Sequence, residues 1–257
     1  YRYDAPVALG PHVLRLTPRA GVGMAHGIRV TPEPAFRLEE TDAHGNRITR
    51  LGFEGATSEL LVESRFELET RGAPAPNGVE GSPDCYLKVN ADEDRVAAVA
   101  KRLRALAGPD PRAFAESLAA TVQSTITQDA EDAGPVRAPG DTLTRGRGSS
   151  RDIAALFIAL SRRAGLPARF VSGYWAESTD PSSRRAFHTW AEVLLPESGW
   201  QGFDPTLGTA TGEGHVALAA APDPAGILPV SGSTFGSTFG AGVRVSAGFE
   251  VNILTPT

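Results

Sequence analysis

Cysteine is nearly absent from this chain. Cys85 stands alone among 257 residues, so no internal disulfide can form and no cysteine-based zinc site can be assembled. Its small size suits a half-buried packing position better than a reactive one. An excess of positive charge is missing too: Lys+Arg at 25 against Asp+Glu at 30 gives a formal net charge of -5 and no basic footprint for nucleic acid. No apolar run approaches the roughly 18 residues that a membrane-spanning helix needs, and the first residues lack the charged-then-apolar pattern of a secretion signal. These absences predict a soluble, cytoplasmic protein with neither a nucleic-acid nor a membrane partner. The chain begins at Tyr1 without an initiator methionine and enters strand-like alternation at once, which suggests that a short leading piece has been trimmed or left out. Phosphate-cradling loops and dinucleotide fingerprints are also missing, "GRG" and "GVG" being too short and wrongly placed, so no cofactor is implied.

What is present is an ordinary globular composition, 41% hydrophobic and 21% charged, with 28 Gly and 20 Pro marking many turns. The length admits two domains. The first 70 residues alternate with period two in "YRYDAPVAL", "HVLRLTPR", "GIRVTPEPAFRLEE", "NRITRLGFEG" and "SELLVESRFELET", with "DAHGN" supplying hairpin-turn chemistry. They predict an antiparallel β-sandwich over residues 1–80. Residues 71–84, "RGAPAPNGVEGSPD", carry no periodicity and read as a connection. Beyond it, over 85–257, the period changes. "EDRVAAVAKRLRALAG" and "DPRAFAESLAATVQSTI" space apolar residues as helices do, residues 129–147 are polar and turn-rich, and three strands follow in "ARFVSGYWA", "AFHTWAEVLLP" and "WQGFD". The fold class is therefore α+β. The tail returns to strand in "GHVALAA" and "GVRVSAGFEVNIL", and the tandem "GSTFGSTF" between them reads as an exposed hairpin tip.

Between the turn-rich segment and the strands lies "RGRGSSRDIAALFIAL". Ile153, Leu156, Phe157 and Leu160 make a helical stripe, and Gly165 with Pro167 ends the helix. Ser149 and Ser150 stand at its start, where four backbone N–H groups lack partners and the helix dipole favours anions. That is a good position for an acyl-transfer nucleophile, because free amides there can hold an oxyanion and a thiol's pKa is lowered. It is also where serine most often acts as a cap, contributing about 1 kcal/mol.

A second stretch, "FHTWAEVLLPESGWQGFDPT", supplies partners for such a nucleophile. On an alternating strand His188, Trp190 and Glu192 share one face while Phe187, Thr189, Ala191 and Val193 take the other. The short turn "PESG" returns the chain as a neighbouring strand ending at Asp204, within reach of His188. Nucleophile, base and orienter then follow in the order Ser150, His188, Asp204. Trp190 reads as core. His12, His26, His44 and His215 show no ligand spacing and no carboxylate cluster, so no metal site is expected.

The ordered blocks "GRGSSRDIAALFIALSRRAGLPARFVSGY", "FHTWAEVLLPESGWQGFDPT" and "GEGHVALA", with the N-terminal "YRYDAPVALGPHVLRLTPR", resemble the bacterial transglutaminase-like proteins, a branch of the papain-like thiol-enzyme superfamily. The resemblance spans nearly the whole chain. It implies a catalytic triad with His188 and Asp204 as second and third members, and a protein or peptide substrate whose amide bond is attacked by a thiol. Hydrolysis, as a cysteine protease or amidase, stands ahead of cross-linking. The family's nucleophile is a cysteine before Arg-Asp, a position held here by Ser150, with Arg151 and Asp152 matching the flanking pair. Asp152 is also explained by the dipole and reads as structural first. The missing thiol has three explanations: a Cys-to-Ser substitution that traps an inactive enzyme, a natural loss that leaves a peptide-binding or scaffolding module, or a working serine. A framework shaped around sulfur misplaces the smaller oxygen, which argues against the third.

Overall fold

The computed structural model describes residues 1–19, 22–70, 83–89, 94–129, 134–176, 187–235 and 245–246. Most of the connection expected over 71–84, and residues 236–244 and 247–257 of the expected terminal strands, lie outside them.

The alternating N-terminal residues form six strands: β1 (Arg2–Leu14), β2 (Val22–Thr31), β3 (Phe36–Thr41), β4 (Arg47–Gly52), β5 (Ala56–Glu59) and β6 (Leu61–Glu69). The two runs on either side of Gly10 and Pro11 are one strand. A register shift between Leu9 and His12 carries the proline past its neighbour without demanding its missing N–H. The hairpin expected at "DAHGN" is there, with β3 and β4 in register from Thr41 opposite Arg47 and Gly45 at a φ of 76°. β2 and β6 pair as a separate ribbon, and Val7, Leu9, Leu14, Leu16, Ile28, Val30, Leu51 and Leu60 form the core between the two antiparallel layers.

Two helices follow, α1 (Asp94–Ala107) and α2 (Pro111–Thr125). Within the turn-rich segment the sequence concealed a third, α3 (Pro139–Arg145). It is seven residues long, too short to show periodicity; Pro139 starts it with a preset φ, and Gly146 at φ 65° stops it. Two-residue strands β7 (Thr127–Gln128) and β8 (Arg147–Gly148) bracket it and pair in parallel. Then comes α4 (Ser150–Arg163), which ends as expected, with Gly165 N–H on Arg162 O and Leu166 N–H on Ser161 O, each at 3.0 Å. It is buried on nearly every side rather than along one stripe. The sheet covers one side and the other three helices cover the rest.

That sheet has five strands in the order β12-β11-β10-β9-β13, namely β9 (Ala168–Trp175), β10 (His188–Leu195), β11 (Gly199–Asp204), β12 (Thr209–Ala210) and β13 (His215–Ala221). Ala168, Phe170, Ala191, Val193 and Phe203 join the helices in the larger core. The chain then returns through β14 (Val230–Phe235), which pairs with β1, and β15 (Val245–Ser246), which pairs with its start. No helix among the described residues is long and apolar enough to cross a membrane.

The N-terminal layers dock onto the sheet face that turns away from α4, and a buried ionic group lies at that junction. Arg169 Nε donates to Glu192 Oε2 at 2.6 Å, its guanidinium stacks 3.9 Å over the Trp200 ring, and Arg19 Nη1 lies 3.7 Å from the same carboxylate. Asn46 exchanges two hydrogen bonds with the Ala220 backbone beside it. Removing the carboxylate charge strands two guanidiniums, so Glu192→Gln is expected to cost about 3–5 kcal/mol of stability. Urea unfolding at neutral pH measures this, and a loss under about 1 kcal/mol would contradict the ionic account.

Candidate active site

Of the two serines at the start of α4, one serves as its cap. Ser149 is the cap: its Oγ accepts the Asp152 N–H, and its own N–H donates to Asp152 Oδ2 at 3.1 Å. Asp152 is further held by the Arg137 N–H at 2.7 Å and the Arg137 guanidinium at 2.6 Å, so its role is structural, as expected. Gly148 is required just before them, since a Cβ there would press into the Asp152 side chain.

With the cap assigned to Ser149, Ser150 occupies the first helical position, fully buried. Its Oγ accepts the backbone N–H of Thr189 at 3.3 Å, which ties the helix N-terminus to β10 one residue beyond His188. The Ser150 hydroxyl therefore lies at the positive end of the helix dipole, beside the strand that carries the imidazole.

His188 and Asp204 meet as the spacing predicted. β10 and β11 pair in register from Ala191 opposite Phe203, so Asp204 follows directly at the strand end, and its Oδ2 lies 2.6 Å from His188 Nε2. A carboxylate only accepts, so Nε2 is the donor and Nδ1 is left as the basic nitrogen. Asp204 is completely buried. Burial alone would raise its carboxyl, but hydrogen bonds from His188, His215 and Thr206 and the charge of His188 outweigh that and hold it well below the usual carboxylate range.

His215, given no role on sequence grounds, also reaches Asp204: its Nε2 lies 3.1 Å from Oδ2. It arrives from β13, which pairs with β9 on the far side of β10. Gly173 in β9 makes this possible, because a Cβ there would collide with the Val216 carbonyl and the Trp190 ring. Trp190 is 2% exposed and sits in core with Val171 and Ala220, as expected, while its ring also lies edge-on to His215. Trp175 lies 6.1 Å from the His188 ring and 6.3 Å from that of His215.

The donor atoms of His188, Asp204 and His215 lie within 4.8 Å of one another, close enough to be tested as a metal triad. Hydrogen bonding favours protons instead. His215 Nδ1 accepts the Gly212 N–H at 3.2 Å, so the ring proton belongs on Nε2, the atom that would have to ligate.

Comparison with known proteins bears on the family and the fold. Residues 97–205 match the family model of the transglutaminase-like superfamily, and residues 1–69 match that of the bacterial transglutaminase-like N-terminal region, together more than half of the chain. An uncharacterized protein of Mycobacterium leprae is 26% identical over 90% of this chain and 89% of its own length, and one of Mycobacterium tuberculosis is 24% identical over 96% and 88%. The structure of a candidate cysteine protease from Cytophaga hutchinsonii shares the fold with a TM-score of 0.64 at 20% identity, covering 98% of this chain and 89% of that one.

The depressed Asp204 carboxyl has a pH signature. Its ionised form contributes stability that is complete above the unfolded carboxylate pKa, about 4, and is lost as pH falls through the lower folded value. Asp204→Asn is expected to cost about 2–4 kcal/mol near neutral pH, with the deficit shrinking below about pH 4. Urea denaturation of both proteins from pH 3 to 8 measures it; a deficit that grows as the solution is acidified would contradict the assignment.

Proposed function

Because this chain belongs to the transglutaminase-like superfamily, we propose that its site is built for acyl transfer from an amide or peptide bond, through a nucleophile at position 150, His188 as base and Asp204 as orienter. The observation that carries this reading is the buried His188–Asp204 pair at 2.6 Å, one peptide unit from the Thr189 amide that Ser150 Oγ engages.

With sulfur at position 150 the steps follow from these positions. His188 Nδ1 accepts the thiol proton, and the thiolate attacks the carbonyl carbon. The tetrahedral oxyanion is held by backbone N–H groups at the start of α4. The C–N bond breaks as His188 returns its proton to the departing amine, leaving a thioester on residue 150. Water, deprotonated by His188, attacks that thioester, and its proton passes to the sulfur as the acid is released. An amine in place of water would cross-link. Hydrolysis of protein or peptide substrates, in the cytoplasm, is the preferred outcome.

Oxygen at position 150 disables the first step. A thiol beside an imidazole at a helix N-terminus is easily ionised, whereas a serine hydroxyl must lose its proton during attack to a base set for oxygen geometry. The chain with Ser150 is a silent form of the enzyme.

Removing a triad nucleophile can lower kcat by on the order of 10⁶, so Ser150→Cys is expected to raise turnover by at least about 10³-fold. The assay scores peptide cleavage and primary-amine incorporation on a protein substrate, with Ser150→Cys/His188→Ala as control. Turnover that requires both the thiol and His188 is the expected result. Folded Ser150→Cys protein with no activity in either assay would favour a peptide-binding or scaffolding protein that uses the same cleft.

A further inference from the structure

Asp204 accepts more hydrogen bonds than an orienter of one imidazole needs. Its Oδ1 takes the Thr206 N–H at 2.9 Å and the Thr206 hydroxyl at 2.6 Å, and its Oδ2 takes His188 at 2.6 Å and His215 at 3.1 Å. Four donors fill the roughly four lone-pair sites of a carboxylate. The group cannot rotate without breaking at least two of these bonds. Thr206 acts on Oδ1; on the oxygen that serves His188 the competing donor is His215.

His215 is built to be that donor and nothing else. Its side chain is 6% exposed, its Nδ1 accepts the Gly212 N–H at 3.2 Å, and its own N–H returns to the Gly212 carbonyl at 3.1 Å. The Trp175 and Trp190 rings enclose it. With Nδ1 committed as an acceptor, Nε2 keeps its proton and points it at Asp204.

We propose that His215 is a positioning residue of the site, a second imidazole that fixes the Asp204 carboxylate and, by sharing Oδ2, moderates how tightly Asp204 holds the proton of His188. This rests on the reading of Ser150, His188 and Asp204 as an acyl-transfer site. A carboxylate whose charge is divided between two N–H donors polarises each less than it would polarise one alone. His215 therefore keeps His188 able to release its proton to a departing amine rather than being locked as imidazolium by a buried carboxylate.

The groups recorded around His188 limit what else could move its titration. Among the described residues Asp204 comes from β11 and His215 from β13; the rings of Trp175 on β9 and Trp190 on β10 are uncharged, and α4 brings Ser150 against the neighbouring Thr189 amide. Loss of the His215 donor reaches His188 through the Asp204 oxygen that both rings share, and the two rings also lie 6.3 Å apart.

The test is the ring titration of His188, followed by NMR in histidine-labelled protein with Ser150 in place, and it needs no turnover. His215→Phe, which removes the donor and keeps a ring, is expected to move the His188 midpoint up by about one pH unit. His215→Gln retains an N–H and should leave the midpoint within about 0.3 of the starting protein. If His215→Phe does not fold, His215→Met, slimmer and also without an N–H, carries the measurement. A His188 midpoint unchanged in the folded donorless variant would overturn the proposal and make His215 a packing residue. A shift accompanied by no turnover in Ser150→Cys would instead overturn the catalytic reading on which the role rests.

Discussion

A fully buried carboxylate that stays ionised is the constraint around which this molecule is arranged. Taking Asp204 out of water is costly unless every acceptor site is filled. Four donors from three different parts of the chain fill them, namely His188 on β10, His215 at the start of β13, and the backbone and hydroxyl of Thr206. Each must arrive within hydrogen-bond distance, so the registers of β9, β10, β11 and β13 are all bound to one group. The absence of a Cβ at Gly173, which lets β13 close on β9, is one of the local concessions that this requires.

The second half of the site depends on where a helix begins. Ser149 takes the cap and Asp152 closes it, which leaves Ser150 in the first turn with its hydroxyl turned to the Thr189 amide. Because α4 is buried on nearly all sides, its start has little freedom relative to the sheet. The N-terminal layers add a further restraint through Arg19, which reaches the Glu192 carboxylate, and Asn46, which pairs with the Ala220 backbone of β13. A hydroxyl, an imidazole and a carboxylate are thereby placed by packing rather than by loops, as a site needing sub-ångström geometry requires.

Much of this was legible in the sequence because it is local. His188 and Asp204 lie on one hairpin with a short turn, so alternation and turn length were enough to bring them together. The helix that bears Ser150 announced both of its ends. What was hidden depends on non-local or very short features. His215 reaches Asp204 only because β13 pairs with β9, and nothing in "GEGHVAL" specifies that partner. Helix α3 is too brief to show a period, and the Gly10–Pro11 pair looked like a strand end because a bulge cannot be told from a break without the neighbouring strand. The sequence also could not choose which serine caps α4, since both satisfy the preference and only packing against β10 separates them.

The central claim is that position 150 is a nucleophile's seat held at a helix N-terminus beside an imidazole, and a substrate-independent property tests it most directly. That property is the ionisation of a thiol placed at position 150, read from the pH dependence of its alkylation by iodoacetamide. The account predicts a thiol that ionises well below the ordinary value of about 8.5 and returns toward it when His188 is replaced by alanine. An ordinary or raised value, unchanged by the loss of His188, would contradict it and leave the start of α4 a buried helix terminus without chemistry.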